Sequence, residues 1–154
     1  MSLAHIFYTA FQNRDWKTMQ DCYHDKATFS DPAFPDLNSR EVKAMWKMLV
    51  TRGKDLTIKF ELISESEETA SVKWIADYTF SRSGRKVNNI IVARMDFLDG
   101  KILKHSDQFS FYRWSRQALG LTGLLLGWTP FLQKKVQSTA RQQLVAFMEK
   151  EPKS

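Results

Sequence analysis

An α+β fold, helices first and an antiparallel sheet after them, is what this sequence predicts, and three observations carry it. Apolar residues recur at helical spacing up to about residue 52, alternate with polar ones from Leu56 to Tyr112, and return to helical spacing beyond Pro130. The links between the alternating runs are short and turn-like, at Ser64 to Thr69, Ser81 to Lys86 and Leu98-Asp99-Gly100, which selects hairpins over βαβ crossovers. The length, 154 residues with 43% hydrophobic content, suits one domain that buries its own core without disulfides or metals.

Leu3, Ile6, Phe7, Ala10 and Phe11 form a first helical stripe, and Trp16, Met19 and Tyr23 a second after the Asn13-Arg14-Asp15 break. Ala27 to Asp31 reads as a short strand ended by Pro32 and Pro35, since proline cannot donate to a ladder. Asn38 with Glu41 three residues on resembles a capping box, and Val42, Met45, Trp46 and Leu49 continue it as a third helix to about Gly53. Four strands follow, with the inward sets Leu56-Ile58-Phe60-Leu62, Val72-Trp74-Ala76-Tyr78-Phe80, Ile91-Ala93-Met95-Phe97 and Leu103-His105-Asp107-Phe109-Phe111. Ala118 to Trp128 is apolar but, at eleven residues, well short of the about 20 that cross a hydrocarbon core, so a buried connection or lid is expected there. Thr129-Pro130 then starts an amphipathic helix with Leu132, Val136, Ala140, Leu144 and Phe147 on one side.

Charge and cysteine use narrow the classes. Cys22 is the only cysteine and no His/Cys cluster has metal-site spacing, so no disulfide, metal or cofactor is expected. The opening MSLAHIFYTAFQNRDW lacks a basic start followed by a clean apolar run, and a cytoplasmic protein is the expectation. Residues 113 to 154 hold seven of the basic residues against Glu149 and Glu151, so five of the six net positive charges lie there. A solvated helix face explains such asymmetry, as does an anionic partner such as a membrane surface; no nucleic-acid reading motif is present.

Two segments carry a resemblance. Asp21-Cys22-Tyr23-His24-Asp25-Lys26-Ala27-Thr28-Phe29-Ser30-Asp31-Pro32 is similar to the ketosteroid isomerase segment around the catalytic aspartate, and Asp99 to Asp107 is similar to the last strand of SnoaL-like proteins. In this order and separation they resemble the nuclear transport factor two-like superfamily, over residues 3 to about 113. The resemblance implies a cone-shaped curved antiparallel sheet with three N-terminal helices, in the cystatin-like/ketosteroid isomerase-like manner. It divides the chain into a SnoaL-like domain over 1–113 and a C-terminal apolar and basic helical extension of the same domain over 114–154. It also implies a pocket for a hydrophobic small molecule and a homodimer across the open sheet face, for which Gln108 and Tyr112 are candidates.

The resemblance implies acid-base isomerase, cyclase or hydrolase chemistry on a hydrophobic cyclic or polyketide-like substrate, with Asp31, His105 and Asp107 as catalytic candidates. Asp31 matches the isomerases' base, but the oxyanion-donating tyrosine's place falls on Phe7 and the neutral acid's near Ala93, neither of which has a side-chain donor. The standard steroid isomerase mechanism is therefore not expected. SnoaL-type cyclases use an aspartate and a histidine; His105 and Asp107, two apart on one strand, share a face with apolar neighbours, where burial brings both toward neutral titration. The same pair would also serve as hydrogen-bonded core residues. An epoxide hydrolase Asp-Arg-Asp set is disfavoured by parity, which points Arg94 and Asp96 outward as an exposed pair, and Asp77 likewise. Phe7, Trp16, Tyr23, Trp46, Trp74, Ala93, Met95 and Phe109 are expected to line the interior. The alternative is a non-catalytic ligand-binding or interaction module, in which Trp114, Trp128, Phe131 and the basic tail touch a partner protein or a membrane surface.

Overall fold

A computed structural model describes residues 2–151, so Lys153 of the basic tail lies outside the described residues. Helices α1 (Leu3–Gln12) and α2 (Trp16–Asp21) open the chain, each started by a side chain that accepts from the first turn, Ser2 from His5 N–H and Asp15 from Thr18 N–H. Strand β1 (Tyr23–Ser30) leads through the Pro32–Pro35 turn to a two-residue strand β2 (Leu37–Asn38) and α3 (Ser39–Arg52). Strands β3 (Thr57–Glu65), β4 (Thr69–Phe80), β5 (Arg85–Leu98) and β6 (Lys101–Gln108) form the meander. Helices α4 (Phe111–Leu119), α5 (Leu121–Leu126) and α6 (Pro130–Lys150) close the chain.

The sheet is curved and unclosed, with strand order β2-β1-β6-β5-β4-β3. Every neighbouring pair is antiparallel except β1 and β6, which run parallel with Phe29 opposite His105 and Ser30 opposite Ser106. That one parallel pair is the departure from an all-antiparallel sheet. It lays the end of β1 alongside the end of β6. The tight β5–β6 turn is made by Asp99 and Gly100, both at positive φ (53° and 72°), the backbone that a two-residue hairpin requires.

The capping box forms as its spacing predicts: Asn38 accepts from Glu41 N–H at 2.9 Å while Glu41 accepts from Asn38 N–H at 3.0 Å. Replacing Asn38 with Ala is expected to cost about 1 kcal/mol, read as a lower urea midpoint with unchanged m-value.

Several sequence expectations shift. Ile6 is 37% exposed, and the buried face of α1 is instead Ala4, Phe7, Tyr8, Ala10 and Phe11. Tyr23 opens β1 instead of ending α2, because the helix caps at Cys22. On β6 the register slips between Asp96↔Lys104 and Phe97↔Ile102, leaving Leu103 unpaired. This bulge turns Ile102, not Leu103, inward with His105. The strand stops at Gln108, not Tyr112, because Ser110 accepts from Arg113 N–H and starts α4. Tyr112 is therefore a helix residue whose hydroxyl donates to Leu124 O, not a residue of the open sheet face, and position 113 falls inside α4. The Ala118–Trp128 stretch is not a buried connection: Leu121 is 69% and Trp128 73% exposed.

Helix α6 is amphipathic as expected, with Leu132 and Leu144 buried. It crosses α3, where Arg141 pairs with Glu41 and Glu151 with Lys47, and its Gln133 and Gln137 amides donate to Pro32 O at 3.3 and 3.0 Å. The last helix thus ties down the turn that carries Asp31.

Candidate functional site

The inner face of the sheet is lined by rings. Phe7 meets Tyr8, Tyr23, Trp46 and His105 edge-on at 5.0–5.8 Å between centroids, and Phe29 and Trp46 also pack on His105. Trp74 reaches Phe11, Tyr8 and Trp46 from β4. Large aromatics at inward positions fill the space between helices and sheet, so the interior is packed around its polar groups. Two surface concavities flank the sheet. One is bounded by Val92, Arg94, Gln108 and Phe109; the other lies beside β1 and β6, where Phe29 and His105 share its lining with Thr28, Asp36, Arg94 and Lys104.

Through the rings runs a chain of hydrogen bonds. Trp46 Nε1–H donates to Tyr23 Oη at 2.8 Å, Tyr23 Oη lies 2.7 Å from His105 Nδ1, and His105 Nε2 lies 3.0 Å from Asp107 Oδ1. All four residues are buried. One proton arrangement uses every donor: Tyr23, having accepted from Trp46, donates to Nδ1, and His105 presents Nε2–H to Asp107. That arrangement places the ring proton on Nε2. Burial, with a smaller push from the Asp107 charge, keeps the Tyr23 phenol well above its usual pKa despite the Trp46 bond, so it stays a donor.

Asp107 has Ala93 as its Cα partner on β5. Asp31 stands one step past the Ser30↔Ser106 pairing, next to Asp107 across the parallel ladder. Its Oδ1 accepts from Ala33 and Phe34 N–H at 2.7 and 2.6 Å, an Asx turn made possible by the Pro32 that follows. Burial first, and then the Asp107 charge, push its pKa up to about 7 against those two bonds.

Two further donors are buried here without a partner among the described residues: Tyr8 Oη and Trp74 Nε1. The Tyr8 phenol is held well above its ordinary pKa, mainly by burial and then by the Asp107 charge, which places it within the field of the same carboxylate.

Residues 4–105 match the SnoaL-like domain. The chain belongs to the SnoaL-like domain family. Solved structures with the same fold include a protein with a ketosteroid isomerase-like fold from Catenulispora acidiphila in complex with trimethylamine (TM-score 0.65, 13% identity, covering 83% of this chain and 97% of that one). A candidate polyketide cyclase from Xanthomonas campestris matches at TM-score 0.65 and 14% identity over 75% of this chain and 93% of its own. An epoxide hydrolase from M. tuberculosis matches at 0.59 and 16% over 80% and 92%. Among curated proteins none matches the chain.

In this SnoaL-like domain, Asp31, His105 and Asp107 lie at adjoining ends of β1 and β6. Phe7, Tyr23, Trp46, Trp74, Ala93 and Met95 are buried around them, and Phe109 is half-buried at the rim. Trp16 stands apart, half-exposed on α2 under the Lys47 ammonium at 4.3 Å. Arg94 and Asp96 face outward as parity requires, without an ion pair among the described residues, and Asp77 accepts from Asn88 at 2.7 Å. Cys22 is buried with its thiol pushed up to about 11, chiefly by desolvation, which removes it as a nucleophile. No His/Cys/Asp/Glu group among the described residues could hold a metal.

Sequence reasoning missed Tyr8. The signal was present, since Ala4, Tyr8 and Phe11 sit at i, i+4 and i+7 on the buried face of α1.

Proposed function

We propose that this SnoaL-like domain is an acid-base enzyme that moves a proton beside a carbonyl of a hydrophobic cyclic or polyketide-like molecule. The observation that carries the reading is the meeting of two carboxyls, Asp31 and Asp107, with the buried, unpartnered Tyr8 Oη in the field of Asp107, and with a second unpartnered donor, Trp74 Nε1, on the ring that packs beside Tyr8. An unpartnered buried donor costs about 1–3 kcal/mol, and a substrate oxygen accepting from both would recover that loss. Donors aimed at an oxygen stabilise an enolate more than a ketone, which is the difference that lowers a barrier.

In this reading Asp107 takes or returns the substrate proton, held in place by His105 Nε2–H. Asp31, titrating near neutrality, handles the second proton. His105 acts through Asp107 and is itself fixed by Tyr23 and Trp46. Because rings fill the interior, substrate would enter by displacing part of the rim, where Phe109 and the Asp31 turn meet α4 and α6. The outer sheet face, with Ile90 41% and Val92 39% exposed, is the surface we assign to homodimer formation. A lone, buried Cys22 suits a reducing, cytoplasmic setting.

The packing of Phe7, Tyr8 and Trp46 in the interior favours a second reading, a ligand-binding domain without turnover. Deuterium exchange at the α-carbon of 2-tetralone in D2O separates the two. The enzyme reading expects catalysed exchange that falls about a hundredfold or more in both Asp31→Asn and Asp107→Asn. Equal exchange in wild type and variants, with 2-naphthol still bound, would favour the non-catalytic domain.

A further inference from the structure

We propose that α5 and the first turn of α6 form a docking tip that seats the protein on an anionic lipid surface. The tip inverts the usual pattern of a surface helix. Leu121, Leu124 and Leu125 are 69%, 48% and 60% exposed, and Trp128 and Phe131 beyond them are 73% and 69% exposed. The glycines, not the leucines, face the protein. A Cβ on Gly123 would lie 1.9 Å from Ser115 O, and one on Gly127 would lie 2.1 Å from Ser115 Oγ. The apolar side chains are therefore directed outward by close backbone packing on α4, not left outside by loose folding. Tyr112 Oη, donating to Leu124 O at 3.1 Å, fixes the same arrangement.

A contiguous exposed apolar surface of this kind marks a binding face, and its surroundings select the occupant. From Gln108 to Met148 the chain contains no acidic residue. Arg85 donates to Gln117 O and lies against Gly120 at the base of the tip, Arg116 is on α4, and Lys134 and Lys135 are exposed on the second turn of α6. None of these four makes an ion pair among the described residues. Leucines to enter the acyl boundary, a tryptophan and a phenylalanine beside them, and a basic collar behind are the chemistry of a helix lying in a bilayer interface with anionic headgroups. No helix among the described residues is long and apolar enough to cross a membrane, so the contact is one of docking.

The test is sedimentation of the full chain with vesicles of phosphatidylcholine alone and of phosphatidylcholine containing about one third phosphatidylglycerol. Expected are binding to the anionic vesicles, loss with added salt, and at least about a tenfold fall in partition for Leu125→Asp and for the double variant Lys134→Glu/Lys135→Glu. All these side chains are exposed, and unchanged thermal midpoints would confirm intact folding. Failure of the wild type to bind anionic vesicles at low salt would overturn the proposal, as would equal partition by the variants. Concentration-dependent dimers abolished by Leu125→Asp, without vesicle binding, would instead make the tip a self-association surface and overturn it too.

Discussion

Replacing Tyr23 with Phe is expected to destabilise the protein by about 3 kcal/mol, although it removes a single oxygen and leaves the ring. The loss is large because that oxygen serves two buried partners. Without it, Trp46 Nε1–H has no acceptor and His105 Nδ1 has no donor, each within a ring-packed interior that admits no easy substitute. Each orphan costs about 1–3 kcal/mol, whereas the hydroxyl's own net bond would be worth only about 1. Urea unfolding should show the loss as a lower midpoint at unchanged m-value. Trp46→Phe in the Tyr23→Phe background removes one of the orphans, so the double variant should lose less than the two single losses added together. Additive losses would mean that the hydrogen-bonded chain is not coupled. The ring nitrogens of His105 offer a second check: the proton belongs on Nε2, facing Asp107, in the wild type and in Tyr23→Phe alike, while Nδ1 loses its donor in the variant.

The sheet was legible because alternation is a local signal. Val72-Trp74-Ala76 and Ile91-Ala93-Met95 face inward as their spacing demands, and the Asp99-Gly100 turn sets their partner strand. Bulges and caps are less visible. Leu103 and Ile102 are both apolar, so only the pairing with β5 decides which one turns inward. Phe109 and Phe111 continue the alternation on paper, and a single serine cap at Ser110 ends it. In the site, the pairing of His105 with Asp107 was readable from the two-residue spacing, and Asp31 from the motif before Pro32. The role of Tyr23 was not, because its residue was assigned to a helix and its hydroxyl meets His105 only across the parallel β1–β6 ladder. The outward leucines of α5 were misread for a simple physical reason: apolar runs normally go inside, and here Gly123 and Gly127 take the inner face.

Asp31→Asn should make the protein more stable at pH 8 while removing the proposed chemistry. The carboxyl titrates near 3.8 when unfolded and is pushed up to about 7 in the fold by burial and then by the Asp107 charge. Between those values the folded state holds a proton that the unfolded state has lost, so stability falls as pH rises through this window and is lowest above it. The full difference corresponds to about 4 kcal/mol, reduced to about 2 because Asp31 is only half-buried and water reaches part of it. The amide keeps an oxygen for the Ala33 and Phe34 N–H groups and removes the charge. The gain over wild type should therefore be about 2 kcal/mol at pH 8 and shrink toward zero as the pH approaches 4. Asp15 and Asp55 are held below the usual range chiefly by Thr18 and Thr79 hydroxyls and weaken the fold at acid pH, but they do so equally in both proteins. A stability gain with lost activity is the pattern of a group kept for function at a cost to the fold.

The most direct test is the titration of the Asp31 carboxyl carbon by 13C NMR. A midpoint near 7, moved downward in Asp107→Asn, is the predicted result. A midpoint near 4 that ignores Asp107 would contradict the pairing of these two carboxyls and, with it, the acid-base site.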